Sequence, residues 1–331
     1  MLLEVIHRTH YHYPGSVGEA RHVSCLQAVN RPGQEVLDFA LHIHPAPAER
    51  HCAPDSFGNP RCHFALHAAH DSLEVTAHSR VRTQALALPR STLPWERLRE
   101  HLRYRAGQAP ERGAEFIAAS EMVLASPFVP RHSAFADYAG ASFTPGRAAL
   151  QACVELMQRI HSDFRYQSHS TDIHTPARQV LAQRHGVCQD FAHVLLACLR
   201  SLGLAARYVS GYLLTQVDNE AERLVGGDAS HAWVAVYLPD LPEGCRWLDL
   251  DPTNNRYGLM RPGPDYITVA TGRDFGDVSP LRGVIQGGAQ HSLTVGVTVR
   301  PLPEPENKAP GHQPAEATPP GSGDTLGDNL R

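Results

Sequence analysis

Residues 186–203 of the chain read GVCQDFAHVLLACLRSLG. Apolar side chains recur in this stretch at helical spacing, namely Phe191, Leu195, Cys198, Leu199 and Leu202. The pattern predicts an amphipathic helix that starts near Cys188, runs to Leu202 and stops at Gly203. At a helix start, unpaired backbone N–H groups and the positive end of the helix dipole favour an anion. We therefore interpret Cys188 as a functional thiol whose thiolate form is favoured.

Two neighbours of Cys188 bear on this interpretation. Gly186 has no Cβ, so we expect it to leave room for a substrate backbone beside the thiol. Asp190 opposes the thiolate if its carboxylate faces the sulfur, and the sequence leaves that orientation open.

A thiolate nucleophile needs a base, and the base needs a third group to orient it. Residues 230–237 read SHAWVAVY, a predicted strand in which His231 and Trp233 share one face and the aliphatic side chains share the other. The next predicted strand, 246–251, places Asp249 and Asp251 on a common face. Periodicity alone allows either aspartate to orient the imidazole.

The order of predicted elements indicates an α+β protein with four parts. Alternating apolar and polar residues over 1–83 predict a small, mainly antiparallel β domain. Residues 84–144 are broken by prolines and predict a connector with short helices. From 145 to 300, helices that begin after Thr144-Pro145 and Thr175-Pro176 precede an antiparallel sheet. Residues 301–331 hold seven Pro and four Gly, and we expect them to be disordered.

Composition narrows the class of protein. The 331 residues include 30 Lys and Arg against 34 Asp and Glu, a net charge of −4 that is not typical of a nucleic-acid binder. The apolar run 194–199 is too short to span a membrane. The first residues do not resemble a signal peptide, so we expect a cytoplasmic protein whose seven cysteines remain thiols.

A metal site at His51, Cys52, Cys62 and His63 is a weaker interpretation. The ten-residue spacing of the two cysteines differs from the close pair that structural zinc prefers, so no metal is expected there.

Three motifs in order, Gly186-Val-Cys188-Gln-Asp-Phe, Ser230-His231-Ala-Trp233 and Asp251-Pro-Thr253, resemble the transglutaminase-like superfamily, whose core is papain-like. The segments His7-Arg-Thr-His10-Tyr-His-Tyr13 and Asp55-Ser-Phe-Gly58-Asn59 are similar to the β-rich domain that precedes this core in bacterial members, and the similarity continues through 272–284. The resemblance implies Cys188 as nucleophile, His231 as general base and acid, and Asp251 rather than Asp249 as the orienting group. It implies neither a cofactor nor a metal.

The implied reaction is attack on a peptide or isopeptide amide through a thioacyl-enzyme, with hydrolysis slightly favoured over transfer to an amine. The Cys188 N–H would donate to the oxyanion, and Tyr166 is a candidate for the second donor. Gln189 and Trp233 are further candidates for substrate contact. Bacterial relatives commonly carry Glu where this chain has Ala235, which would remove a polar neighbour of the site. The expected partner is a peptide or protein substrate, with no nucleic acid and no membrane. The alternative is a non-catalytic binding or assembly module on the same fold.

Overall fold

The computed structural model of the protein describes residues 1–103, 113–168, 171–214, 230–287 and 290–303. The amino-terminal region is built of strands with the alternating burial that the sequence predicts. These strands are β1 (Leu2–Val17), β2 (Glu19–Ser24), β3 (Gln34–His44), β4 (Glu49–Pro54), β5 (Pro60–Leu66) and β6 (His70–Thr83).

Helices dominate the middle of the chain. They are α1 (Trp95–Leu102), α2 (Gly113–Glu121), α3 (Ser133–Gly140) and α4 (Ala149–Asp163), followed by the short strand β7 (Arg165–Tyr166), then α5 (Ala177–Gln183), the short strand β8 (His185–Gly186) and α6 (Cys188–Ser201).

Strands return after α6. They are β9 (Ala206–Leu213), β10 (Ser230–Tyr237), β11 (Trp247–Asp251), β12 (Arg256–Leu259) and β13 (Tyr266–Gly272), and after the short helix α7 (Phe275–Val278) come β14 (Leu281–Gln286) and β15 (Ser292–Leu302). Helices packed on antiparallel sheets confirm the predicted α+β class.

The central sheet positions the candidate site. Its strand order is β12-β11-β10-β9-β13, and every neighbouring pair is antiparallel. Helix α6 packs against β9 and β10 and is enclosed by α3, α4 and α5. Because it is surrounded in this way, the stretch from Asp190 to Arg200 is buried throughout, and the start of the helix is fixed against the sheet.

Strands β14 and β15 return to the amino-terminal sheets. The first of these sheets has the order β15-β1-β6-β3 and the second has the order β14-β2-β5-β4. The predicted core of 145–300 therefore contains two strands that complete the β region, because an antiparallel edge can be extended by a distant part of the chain. Pro301 and Leu302, assigned by sequence to the tail, end β15. The rest of that tail, 304–331, lies outside the described residues.

Two helix starts differ from the sequence prediction. Helix α4 begins at Ala149 rather than after Thr144, because Thr144 accepts the N–H of Arg147 in a turn that precedes the helix. Helix α5 begins at Ala177, with Pro176 at the cap position. In both cases the proline predicted that a helix starts nearby, but it did not predict the first residue of that helix.

The expectation that all seven cysteines remain thiols is wrong for two of them. Cys52 and Cys62 lie directly opposite each other on β4 and β5 and form a disulfide, because that register brings their Cβ atoms together. The other five cysteines are free. The cytoplasmic location stays a prediction.

Candidate functional site

The thiol of Cys188 stands at the first residue of α6, as the sequence predicts, with Val187 at the cap position. Asp190 completes this helix start. Its Oδ2 accepts the N–H of Val187 at 2.8 Å and the hydroxyl of Thr171 at 2.6 Å. The carboxylate is thus engaged by the turn that leads into the helix.

The predicted role of Gly186 needs correction. A Cβ built on this residue would lie 2.6 Å from Oδ2 and 2.8 Å from Cβ of Asp190. The missing side chain therefore makes room for the Asp190 carboxylate. The structure offers no support for the idea that this space receives a substrate.

His231, at the second position of β10, pairs with a buried carboxylate. Its Nε2 is 2.7 Å from Oδ2 of Asp251, and both side chains are buried. Since Nε2 is turned toward the aspartate, Nδ1 is the ring nitrogen left for another partner. Cys188 acts on the same imidazole, because its thiol is one of the groups that raise the pKa of His231.

Asp251 is fully buried and well supplied with donors. Its Oδ1 accepts the backbone N–H groups of Thr253 at 2.9 Å and Asn254 at 3.3 Å. Its Oδ2 also accepts the side-chain amide of Asn254 at 2.8 Å and the hydroxyl of Tyr266 at 2.7 Å. A carboxylate with this many donors is stabilised as an anion in a fixed position.

The pKa shifts of His231 and Asp251 are consistent with each other. Burial alone would lower the pKa of His231, but the charge and hydrogen bond of Asp251, together with the Cys188 thiol, raise it to about 10. Burial alone would raise the pKa of Asp251, but the facing His231 and the surrounding donors lower it. The pair therefore favours an imidazolium beside a carboxylate, the form that stabilises a thiolate.

Asp249 forms its hydrogen bond with a different residue. Its Oδ2 accepts the indole N–H of Trp233 at 2.8 Å, so it does not contact His231 as the alternative interpretation required. It lies directly opposite Ala235 in the β10–β11 pairing. The expected loss of a polar neighbour at Ala235 is therefore offset, because the adjacent strand supplies a carboxylate on the same face.

The remaining predicted residues are Tyr166, Gln189 and Trp233. Tyr166 pairs in register with Gly186, is 49% exposed, and sets its ring edge-on to that of Phe191 at 6.4 Å. Gln189, the second residue of α6, is half-buried. Trp233 is buried and stacks on the imidazole of His231, with ring centroids 6.0 Å apart. The roles of all three stay predictions.

Sequence reasoning missed two residues that donate to Asp251: Tyr266 and Asn254. Asn254 could have been found, because it follows the Asp251-Pro-Thr motif in the same turn. Tyr266 carries no local signal, since it reaches Asp251 from another strand of the sheet.

Within the described ranges, no group of three or more His, Cys, Asp or Glu side chains is arranged to hold a metal ion. No helix in those ranges is long and apolar enough to cross a membrane.

Comparisons with known proteins give matches over most of the chain. Residues 137–252 match the family model of the transglutaminase-like superfamily, and residues 3–82 match that of the bacterial transglutaminase-like N-terminal region. Uncharacterised proteins of Mycobacterium tuberculosis and Mycobacterium bovis are each 38% identical over 308 residues, which span 90% of this chain and 92% of the relative. A crystal structure of a candidate cysteine protease from Cytophaga hutchinsonii is 20% identical, covers 92% of both chains and superposes with a TM-score of 0.66, a likeness of fold. The chain belongs to the transglutaminase-like superfamily, with the bacterial N-terminal region ahead of its core.

Proposed function

We propose that the protein is a cysteine enzyme that attacks peptide or isopeptide amides through a thioacyl intermediate and passes the acyl group to water. The observation that carries this proposal is the buried, hydrogen-bonded pair of His231 and Asp251, with Cys188 at the start of α6 among the groups that raise the pKa of His231. Family membership supports a cysteine-type enzyme in general, and the proposed roles of the three residues go further.

In the first half of the proposed reaction, the Cys188 sulfur forms a bond to the amide carbon. The carbonyl electron pair moves to the oxygen, where the Cys188 N–H at the start of α6 donates to the oxyanion. As the carbon–nitrogen bond breaks, the His231 imidazolium gives its proton to the leaving amine. The first product departs and a thioester remains on Cys188.

In the second half, neutral His231 takes a proton from water as the water oxygen attacks the thioester carbon. Collapse of this second oxyanion breaks the carbon–sulfur bond and releases a carboxylic acid. Asp251 keeps the imidazole in one orientation throughout and stabilises its charged form. Transfer to an amine follows the same steps with an amine in place of water, but it also needs a site that holds the amine beside the thioester.

The activated thiol can be tested without a known substrate. Iodoacetamide labelling of Cys188 is followed from pH 5 to 9 by peptide-resolved mass spectrometry, in the wild type and in His231→Ala. Peptide resolution matters because Cys245 is also partly exposed, whereas Cys25, Cys153 and Cys198 are buried. We expect wild-type labelling to persist at low pH and the variant to follow an ordinary thiol with a midpoint near ~8.5. Identical profiles would contradict the proposal.

A second experiment separates the chemistries. The protein is incubated with a glutamine-containing peptide library and a primary amine, and the products are weighed by mass spectrometry beside a Cys188→Ala control. Shortened peptides or a mass gain of a deamidated side chain support hydrolysis, and amine adducts support transfer. No Cys188-dependent product, despite an activated thiol, would favour the binding module.

A further inference from the structure

The indole of Trp233 joins the candidate site to a second buried polar group. One side of the ring stacks on His231, with 28° between the two planes. The indole N–H donates to Oδ2 of Asp249 at 2.8 Å. The position of this ring therefore links the imidazole to a carboxylate that does not contact it.

Trp233 has little freedom to move. Its side chain is fully buried and crossed edge-on by Tyr266, with ring centroids 5.5 Å apart. On the neighbouring strand, a Cβ built on Gly211 would lie 2.5 Å from Cη2 of the indole. The ring therefore fills its space closely, and a shift of the indole would displace the imidazole that stacks on it.

Asp249 is held in turn by the amino-terminal region. Arg31, in the segment between β2 and β3, places Nη2 3.7 Å from Oδ1 of Asp249 and donates through Nη1 to Thr268 Oγ1 at 2.9 Å. Both side chains are buried, at 7% and 0% exposure. Oδ1 of Asp249 has no hydrogen-bond partner, so this arginine is its nearest ionic contact among the described residues.

The balance of charge around Asp249 makes Arg31 important. Burial raises the pKa of Asp249, while Arg31, Arg207 and Arg261 act against that rise. Arg31 is the first of these opposing charges and the one that forms an ion pair with the aspartate. Without it, the anion loses its closest counter-charge, and burial raises the pKa of Asp249 further.

We propose that Arg31 and Asp249 are positioning residues, which hold the Trp233 indole against His231 and so fix the imidazole that activates Cys188. The inference rests on the proposed function, and it gives the amino-terminal β region a direct part in the site. Around His231 itself the facing titratable groups are Cys188 of α6, Asp251 of β11 and Tyr266 of β13.

The test uses Arg31→Met, Arg31→Lys and Trp233→Phe in the full chain, with the pH profile of Cys188 labelling as the first measurement. We expect Arg31→Met to lower the labelling rate at pH 6 by about tenfold and to move the midpoint of the profile upward, because a misplaced imidazole stabilises the thiolate less. Arg31→Lys keeps the charge and should restore most of the rate. In the Trp233→Phe background, Arg31→Met should have no further effect, because the indole N–H that donates to Asp249 is already absent.

The second measurement needs no reactive thiol. The chain has three tryptophans, so ¹⁵N-indole labelling gives three resolved signals, and Trp233→Phe identifies the one that belongs to Trp233. We expect Arg31→Met to shift that signal toward the position of a weaker hydrogen bond. Arg200→Met is the matched control, because the side chain of Arg200 is also buried but donates to the backbone carbonyls of Ala206 and Arg273.

Each outcome decides something. If Arg31→Met lowers only the unfolding midpoint, as Arg200→Met should, and leaves the labelling profile and the Trp233 signal unchanged, the positioning role is overturned. If Arg31→Met fails to fold, the same cycle is run with Arg31→Lys, whose partial effect must vanish in the Trp233→Phe background. If His231→Ala leaves the labelling profile unchanged, the proposed function fails instead, and the indole signal still reports whether Arg31 positions Trp233.

Discussion

Asp251 and Asp249 are two residues apart on one strand and face the same side, yet they have opposite surroundings. Asp251 accepts from neutral donors and from His231, and its pKa is lowered. Asp249 accepts one hydrogen bond from Trp233, its second oxygen has none, and its pKa is raised. Period-two spacing makes such a pair equivalent, so the difference comes entirely from what the rest of the fold places against each carboxylate.

The largest expected effect comes from removing the charge of Asp251. In Asp251→Asn the imidazolium loses the anion that stabilises it, so the thiolate should form only near the ordinary thiol range. An ordinary thiol is ionised to roughly one part in 300 at pH 6, so we expect labelling of Cys188 at that pH to fall on the order of 100-fold. Peptide-resolved iodoacetamide kinetics measure it.

Asp249→Asn is the comparison variant for that experiment. It keeps an oxygen that can accept from Trp233, so its labelling rate should fall by tenfold or less. Equal losses in the two variants would show that the two carboxylates do not differ in the way their contacts indicate.

The next effect tests how closely the fold packs around the indole of Trp233. In Gly211→Ala the new methyl group would meet the carbonyl of Ile267 at 2.0 Å and the indole of Trp233 at 2.5 Å. Because one obstacle is backbone, we expect a loss of about 3 kcal/mol in the free energy of unfolding. Urea denaturation measures it, with Gly15→Ala as a control, since nothing lies within 4 Å of a Cβ there. Similar losses in both variants would contradict the close packing.

A smaller effect tests the donors of Asp251. Tyr266→Phe removes the hydroxyl that donates to Oδ2 and leaves the ring in place, so we expect a loss of about 2 kcal/mol in stability and a several-fold slower labelling of Cys188. Tyr212→Phe is the matched control, because that buried hydroxyl bonds to His7 of β1. Labelling should slow in the first variant alone, and an equal slowing in both would argue against a specific role for Tyr266.

The sequence predicted one part of this arrangement well. The helix start at Cys188, the strand that carries His231 and the strand that carries both aspartates follow from local periodicity, which depends on residues close together in the chain. Periodicity could not choose between Asp249 and Asp251, and the family resemblance made that choice.

The residues that distinguish the two carboxylates could not be predicted in the same way. Arg31 precedes Asp249 by more than 200 residues. Tyr266 lies on β13 at the edge of the sheet, and strands β9 and β10 separate it from β11, which carries Asp251. Local patterns contain no information about such contacts, and for the same reason they did not show β14 and β15 returning to the amino-terminal sheets. The Cys52–Cys62 disulfide also depends on strand register, which a ten-residue spacing does not reveal.

The smallest effect has opposite signs at the two carboxylates. Asp251 has a lowered pKa, so its charged form adds stability above the ordinary carboxyl range, and this contribution is lost as the pH falls through the lowered value. Asp249 has a raised pKa, so ionisation costs stability as the pH rises from the ordinary value through the raised one. The stability deficit of Asp251→Asn should therefore grow with rising pH, and that of Asp249→Asn should shrink.

Urea denaturation of both variants and the wild type between pH 3 and pH 7 measures these trends, with an expected change on the order of 1 kcal/mol for each pKa unit. A deficit of Asp249→Asn that grows with pH would mean that the three arginines outweigh burial and hold this carboxylate charged. The two aspartates would then differ in which ring they bind and not in the direction of their pKa shifts.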